Sequence, residues 1–307
     1  MNILQIVEKI KLMFVKIDNI SSQIEYLQQA VGRVEMRQLA VTNSNDIHAN
    51  EMKVYSQWGE DGIIQFLVNR VTISQKIFIE FGIGNYSECN TKFLLKNNNW
   101  SGLVIDGSSQ NIQSLQADPL YWQYNIRAEC SFITKDNINQ IIRKHNITGD
   151  IGILSVDIDG NDYWVWEAID CIEPRIIICE YNSLFGPDKN VTTIYDPNFV
   201  ITEAHFSGLY WGASIGAFDY LARQKGYSLV GSNTAGNNIF FVRNDLIGDI
   251  PVFTPQEAYV KSQLRISRDR DGNLSFLNHD QGLKIIENMP LYEVNTGEKI
   301  SVKDLVN

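Results

Sequence analysis

Residues 78–84 read F-I-E-F-G-I-G, and twenty-two positions past Gly84 stands Asp106, in G-L-V-I-D-G. An apolar run entering glycines, then a second run ending in an acid, is a common way to hold a nucleoside. Working outward, K-I-F-I-E-F-G (76–82), S-G-L-V-I-D-G (101–107), Y-N-I-R-A-E-C (124–130), D-I-G-I-L-S-V-D-I-D-G (150–160) and P-R-I-I-I-C-E-Y-N (174–182) predict strands. Several are almost wholly apolar, as strands buried on both faces are. Amphipathic stretches at 89–99, 108–118, 134–146 and 162–170 predict crossover helices, the third with Thr134 and Asp136 as its polar start. This alternation predicts a doubly wound α/β sheet. A further helix (212–226) leads to Y-S-L-V-G-S-N (227–233) and N-I-F-F-V-R-N (238–244), separated only by T-A-G-N. Four residues cannot hold a parallel crossover, so these two strands form an antiparallel hairpin.

Composition narrows the function classes. The chain has 307 residues, 44% hydrophobic and 20% charged, with a formal net charge of -10. That profile predicts a globular protein with one main domain and an appendage. The acidic balance argues against a nucleic-acid partner, which needs a basic surface. Cys89, Cys130, Cys171 and Cys179 show no C-x-x-C spacing, so neither a zinc site nor a disulfide framework is expected. No apolar stretch is long enough to span a bilayer and no signal peptide is legible, which predicts a cytoplasmic protein.

The first forty residues follow a different period. Ile3, Ile10, Ile17, Ile24 and Val31 recur every seven positions, with Ile6, Met13, Ile20, Leu27 and Val34 three positions after each. Such an a/d seam buries well against a like stripe, which predicts a coiled coil and a homo-oligomer without fixing two strands or three. The other readings are a helix packed on its own domain and, more weakly, a membrane-surface helix. The polar stretch V-T-N-S-N-D-I-H-A-N (41–50) reads as a linker. The expected organisation is 1–40 coiled coil, 41–50 linker, 51–249 core and 250–307 C-terminal extension or cap.

The hairpin and the glycines bear on which nucleoside is held. A nicotinamide-binding domain shows G-x-G-x-x-G, whereas here position 87 is Ser and the sheet ends antiparallel. Glu80 to Gly84, Asp106 and the hairpin together resemble class I S-adenosylmethionine-dependent methyltransferases. Y-S-Q-W-G-E-D-G-I-I (55–64), F-I-E-F-G-I-G-N-Y-S-E-C-N-T (78–91), L-S-V-D-I-D-G-N-D-Y-W-V-W (154–166) and I-C-E-Y-N (178–182) resemble the FkbM-type members, many of which act on sugars or glycosylated compounds. The resemblance runs from about Val54 to the C-terminus. It implies a Rossmann-like seven-stranded sheet ending in a reversed strand, with S-adenosyl-L-methionine as cofactor.

Gly82 and Gly84 let the backbone approach the cofactor, and Gly84 is expected to open toward a helix N-terminus that meets its carboxylate. Glu80 either accepts from the cofactor ammonium or organises the loop, with Ser87 nearby. By the resemblance Asp106, beside Gly107 and Ser108, bridges the ribose hydroxyls; the adenine lies near Glu129, Cys130 and Ser131; and Ser56 and Gln57 close over the cofactor.

In S-V-D-I-D-G-N-D, Asp157 and Asp159 alternate along the predicted strand and so share a side, and Glu180 ends the next strand. Three converging carboxylates repel unless a proton, a cation or hydrogen bonds relieve them, which points to Mg²⁺ or another divalent ion. Such an ion also helps an aliphatic hydroxyl attack a sulfonium methyl. Asp157 counts with the cofactor contacts as well. The bland reading makes both aspartates turn and helix caps. His205, in the segment after the fifth strand, is the expected base, with metal ligation or a structural role as alternatives. Asn182, Tyr210 and Trp211 are expected at the acceptor, against turn chemistry for the first and core packing for the others. Of Trp164 and Trp166, on different faces of one helix, one is expected in the core. Arg265, Arg268 and Arg270 would meet a diphosphate or lie in a solvated turn. The expected activity is O-methylation of a sugar or nucleotide-linked sugar in surface-polysaccharide assembly. A nicotinamide-dependent sugar oxidoreductase and a noncatalytic nucleoside-binding scaffold are the competing readings.

Overall fold

The computed structural model describes residues 3–263 and 265–305, with backbone only at Ile3. The chain begins with helix α1 (Ile3–Thr42), about 60 Å long at 1.5 Å per residue. Then follow α2 (Glu60–Arg70), β1 (Ile77–Phe81), α3 (Lys92–Asn98), β2 (Ser101–Asp106), α4 (Ser109–Ala117), α5 (Pro119–Gln123) and β3 (Ile126–Cys130). Next come α6 (Ile138–Lys144), β4 (Gly149–Val156), α7 (Asp162–Ala168), β5 (Ile172–Glu180), β6 (Val191–Thr193) and α8 (Ile201–Ala204). The chain continues with α9 (Ile215–Lys225), β7 (Tyr227–Ser232), β8 (Asn238–Arg243), α10 (Pro255–Ala258), α11 (His279–Ile285), β9 (Pro290–Glu293) and β10 (Glu298–Ser301).

Seven strands form one sheet in the order β3-β2-β1-β4-β5-β8-β7. The first five are mutually parallel, and β8 runs antiparallel to both β5 and β7. This is a Rossmann-like doubly wound sheet with a reversed strand from the hairpin. The reversed strand is not at the edge: β8 inserts beside β5 and leaves β7 outermost.

Both faces are apolar because successive strand residues point to opposite sides. Ile79, Phe81, Leu154, Val156, Ile177 and Phe241 pack under α6, α7 and α9, where Trp166 and Phe218 stack. Phe78, Val104, Ile153, Ile176, Ile178 and Phe240 pack under α2, α3 and α4. Trp166 is thus the core tryptophan of its helix, while Trp164 is only half-buried, beside Tyr195 and Tyr292. All four cysteines are free.

A second sheet, antiparallel β10-β9-β6, was not legible in the sequence. Its apolar layer holds Phe185, Val191, Tyr210, Ile286, Leu291 and Val302. Because β6 pairs with β9, residues 283–305 share a core with the segment after β5.

Helix α1 docks by its C-terminal half. Glu25 accepts from Tyr55 Oη (3.0 Å) and Lys96 Nζ (2.6 Å), and the Gln28 amide donates to the Val54 carbonyl. Gly32 lies so close to Val54 that a Cβ would stand 2.4 Å from its Cγ2, and Met36 and Leu39 pack on the cluster of Met52, Val54, Tyr55 and Phe93. At 100° per residue this face is about a third of a turn from the heptad seam. The seam stays bare, with Ile17, Ile24 and Leu27 exposed by 48%, 59% and 61%. No helix among the described residues is long and apolar enough to cross a membrane.

Candidate active site

The carboxyl ends of β1, β2, β4 and β5 meet at one edge of the sheet. At β1 the chain leaves the strand through Gly82 (φ 66°), where a Cβ would lie 1.7 Å from the Asp157 carbonyl oxygen. This glycine therefore serves contact between two segments of the protein itself. Gly84 (φ 52°) differs: a Cβ there meets nothing within 4 Å. Its N–H donates to Asp106 Oδ2 at 2.9 Å. Asp106 Oδ1 accepts from Ser108 N (2.7 Å) and Asn111 Nδ2 (3.1 Å), and Ser108 caps α4. The Asp106 carboxylate at the end of β2 is buried and oriented by three donors, while Gly107 beside it is exposed.

The expectation that the helix N-terminus toward which Gly84 opens meets the cofactor carboxylate is corrected. Helix α3 starts only at Lys92, and the carboxylate at its start is the protein's own Glu80. Buried Glu80 accepts from Asn90 N (2.8 Å), Thr91 N (3.2 Å) and the Thr91 hydroxyl. It organises the loop, and burial raises its pKa to about 7 even against those bonds. Ser87 is exposed on the same loop, bound to Asn85.

The other cofactor candidates are in part bonded within the protein and in part exposed. Buried Ser56 exchanges bonds with Asp61, whose Oδ2 also takes the amides of Val54 (2.8 Å) and Tyr55 (2.6 Å), while Gln57 is exposed. Glu129 is held by Lys144 (2.7 Å) and His145 (3.0 Å). Cys130 is exposed, and Ser131 N donates to the Asp106 carbonyl at 3.0 Å.

Asp157, Asp159 and Glu180 come together, with one carboxylate oxygen from each within 4.8 Å of the others. The premise of strand alternation fails, since β4 ends at Val156. A turn does the gathering: Asp159 takes the left-handed conformation (φ 56°), and Asp162 accepts the N–H groups of Ile158 (2.7 Å) and Gly160 (2.9 Å). The capping acid is thus Asp162, leaving the other two aspartates free to face Glu180. Burial, then the charges of Asp159 and Asp162, hold the Asp157 carboxyl well above its ordinary range. Burial, then Asp157 and Asp159, does the same to Glu180, whose Oε2 is buried without a hydrogen-bond partner. Asp159 is raised by burial, though its side chain is exposed. A set of hard oxygen donors carrying an unsatisfied buried oxygen fits a divalent cation.

Beside Glu180 opens a cavity of about 560 Å³. Glu180, Asn182 and Trp211 line it, as do Lys261, Arg265 and His279. Three expectations are corrected here. Asn182 has no free polar group for substrate: its amide nitrogen donates to the carbonyls of Leu209 (3.1 Å) and Trp211 (3.0 Å), and its oxygen accepts from Leu184 N. Tyr210 is buried in the second apolar layer with its hydroxyl on the Pro290 carbonyl. His205 does not line the cavity; it sits in its own turn, 2.8 Å from Ser207 Oγ and against Phe206. Burial, then the Arg270 charge, keeps its imidazole below its ordinary range. Lys261 and His279 were missed because residues 261–282 are polar and aperiodic, leaving no signal to place them.

No family model matches the sequence, and no curated protein matches it. Among solved structures, the chain is similar to the CurJ carbon methyltransferase, at 9% identity over 60% of this chain and 52% of that one, TM-score 0.40. It is similar to an S-adenosylmethionine-dependent methyltransferase from Clostridium acetobutylicum, at 14% identity over 45% and 56%, TM-score 0.31. It is also similar to the [4+2]-cyclase SpnF, at 11% identity over 66% and 74%, TM-score 0.37. The chain spans about half the length of the first two. The fold assignment rests on the strand order, and a fold by itself names no reaction.

Proposed function

We propose that the chain is an S-adenosylmethionine-dependent O-methyltransferase of FkbM type, acting on a sugar or nucleotide-linked sugar hydroxyl in surface-polysaccharide assembly. One juxtaposition carries the reading: Gly84, with open space at its Cβ position, binds the Asp106 carboxylate, and three acids converge at the ends of β4 and β5, Glu180 among them lining a cavity. Asp106 offers two acceptor oxygens to a ribose, and Gly84 lets a bulky cofactor approach without a Cβ. Asp157, Asp159 and Glu180 would hold a divalent ion such as Mg²⁺, which when bound supplies Lewis-acid help to the acceptor oxygen. As the methyl leaves sulfur for oxygen, the hydroxyl proton must go to a base. Glu180, which lines the cavity, is better placed to take it than His205, which does not. The bare seam of α1 supports self-association through a coiled coil.

Calorimetric titration with S-adenosylmethionine, S-adenosylhomocysteine and NAD, with and without magnesium, tests the reading. Saturable binding of the first two and not the third is expected. Binding of NAD alone transfers the chain to the oxidoreductases, and binding of none of the three leaves a scaffold.

A further inference from the structure

The cavity beside Glu180 has a charge balance opposite to that of the protein. The chain carries 36 acidic against 26 basic residues. Among the cavity-lining residues, Lys261, Arg265 and His279 face a single carboxylate, Glu180. Lys261 and Arg265 are exposed, and no ion pair among the described residues engages either. Arg175 and Arg243, by contrast, are both drawn to Asp150. The same cavity presents Leu184, Leu209 and Trp211 as apolar surface. One chamber thus joins a flat apolar wall, a carboxylate end and a cationic wall, and its 560 Å³ suits a ligand larger than a monosaccharide.

We propose that this cavity binds a phosphoryl-bearing hydroxylated ligand, its anionic group on Lys261 and Arg265 and its neutral part toward Trp211 and Glu180. Arg presents paired donors to a phosphoryl group, and Lys a point charge. Calling this ligand the methyl acceptor rests on the reading above; the phosphoryl site itself does not. The arrangement also orients the ligand, since the cations hold its phosphoryl group at their wall and leave the neutral hydroxylated part toward Trp211 and Glu180.

Pyrophosphate, uridine diphosphate and uridine are titrated into the full-length protein and into the Lys261→Met/Arg265→Gln double variant. Both side chains are exposed, so the variant keeps the fold, which its melting curve checks. Pyrophosphate and uridine diphosphate should saturate the wild type at least tenfold more tightly than uridine. Added sodium chloride should weaken them, and the double variant should lose tenfold or more of the affinity for both. Equal binding of uridine and its diphosphate, absence of pyrophosphate binding, or a variant that binds as the wild type does would overturn the proposal. S-adenosylmethionine titrated into the same samples separates the two claims. Binding of that cofactor without phosphoryl binding sinks this proposal alone; phosphoryl binding without the cofactor supports the pocket and removes methyl transfer.

Discussion

Glu180→Gln should make the ligand-free protein more stable at pH 8, although it alters a buried residue at the centre of the candidate site. The carboxylate oxygens of Asp157 and Glu180 lie within 4.8 Å of each other. At an effective dielectric of about 20, two unit charges at that distance repel by about 3.5 kcal/mol. The pair feels less than the full repulsion, because one of the two can keep its proton. Both folded-state pKa values lie above the ordinary values of 3.8 and 4.5. The native protein therefore binds protons that the unfolded chain has already released, and stability falls as pH rises from about 4 through the raised values. Gln keeps the size of the side chain and removes one charge. At about 2 °C per kcal/mol for a chain of this size, the variant should melt up to about 7 °C above wild type at pH 8, and the gap should close toward pH 5. Magnesium narrows the gap: at a hundredfold excess over its Kd it adds about 2.7 kcal/mol, or roughly 5 °C, to wild type and little to the variant. Differential scanning fluorimetry from pH 5 to 8, with and without magnesium, reads all of this. A variant melting at or below wild type at pH 8, with magnesium inert on both, would refute the claim that these acids are held in mutual repulsion.

The two glycines of the β1 loop should separate. Gly82→Ala forces a Cβ into the Asp157 carbonyl and should prevent folding, whereas Gly84→Ala carries only the strain of its positive φ, about 1–2 kcal/mol, while weakening S-adenosylmethionine binding; a melt and a titration on each decide it. Asp106→Asn keeps one acceptor where the carboxylate has two, and should cost at least tenfold in cofactor affinity by calorimetry; unchanged affinity would move the ribose elsewhere. Removal of residues 1–21 deletes Ile6 to Ile20 of the seam and spares the docked face from Glu25 to Leu39. Sedimentation should then show a smaller assembly with an unchanged cofactor Kd; removal through Thr42 should also lower the melting temperature.

The strands of the main sheet were legible because they are buried on both faces and read as unbroken apolar runs, and the hairpin because four residues permit only one connection. What escaped is structure that only tertiary contact defines. β6 has three residues and β9 and β10 four each, too few for an alternation to stand out, so the second sheet stayed hidden. It is that sheet which buries Tyr210, an aromatic that looks free in sequence. His205 misled for a related reason: the pKa of a free imidazole suits a base, but only the path of the loop decides where it points. The convergence of Asp157, Asp159 and Glu180 was anticipated from a strand that ends one residue too soon. It still occurs because Asp162, four and two residues after the amides it binds, folds the turn back on itself.

The motif W-G-E-D-G gains a physical meaning from the same network. Glu60 Oε1 accepts from Asn233 (2.6 Å) and Asn238 (3.0 Å) of the β7–β8 hairpin, and its Oε2 takes the amides of Trp58 (2.9 Å) and Gly59 (3.0 Å). Asp61 holds the amides of Val54, Tyr55 and Ser56, the stretch against which α1 rests. Two adjacent acids thus fasten the hairpin at one end of the sheet and the loop under the long helix to the start of α2. Burial raises Asp61 to about 6, and its Oδ1 has no partner, so the clasp costs desolvation that a loop with no role could avoid. The same stretch carries Ser56 and Gln57. Residues 25–39 of the long helix therefore rest on the stretch proposed to close over the cofactor, whereas the seam from Ile6 to Ile20 lies outside that contact.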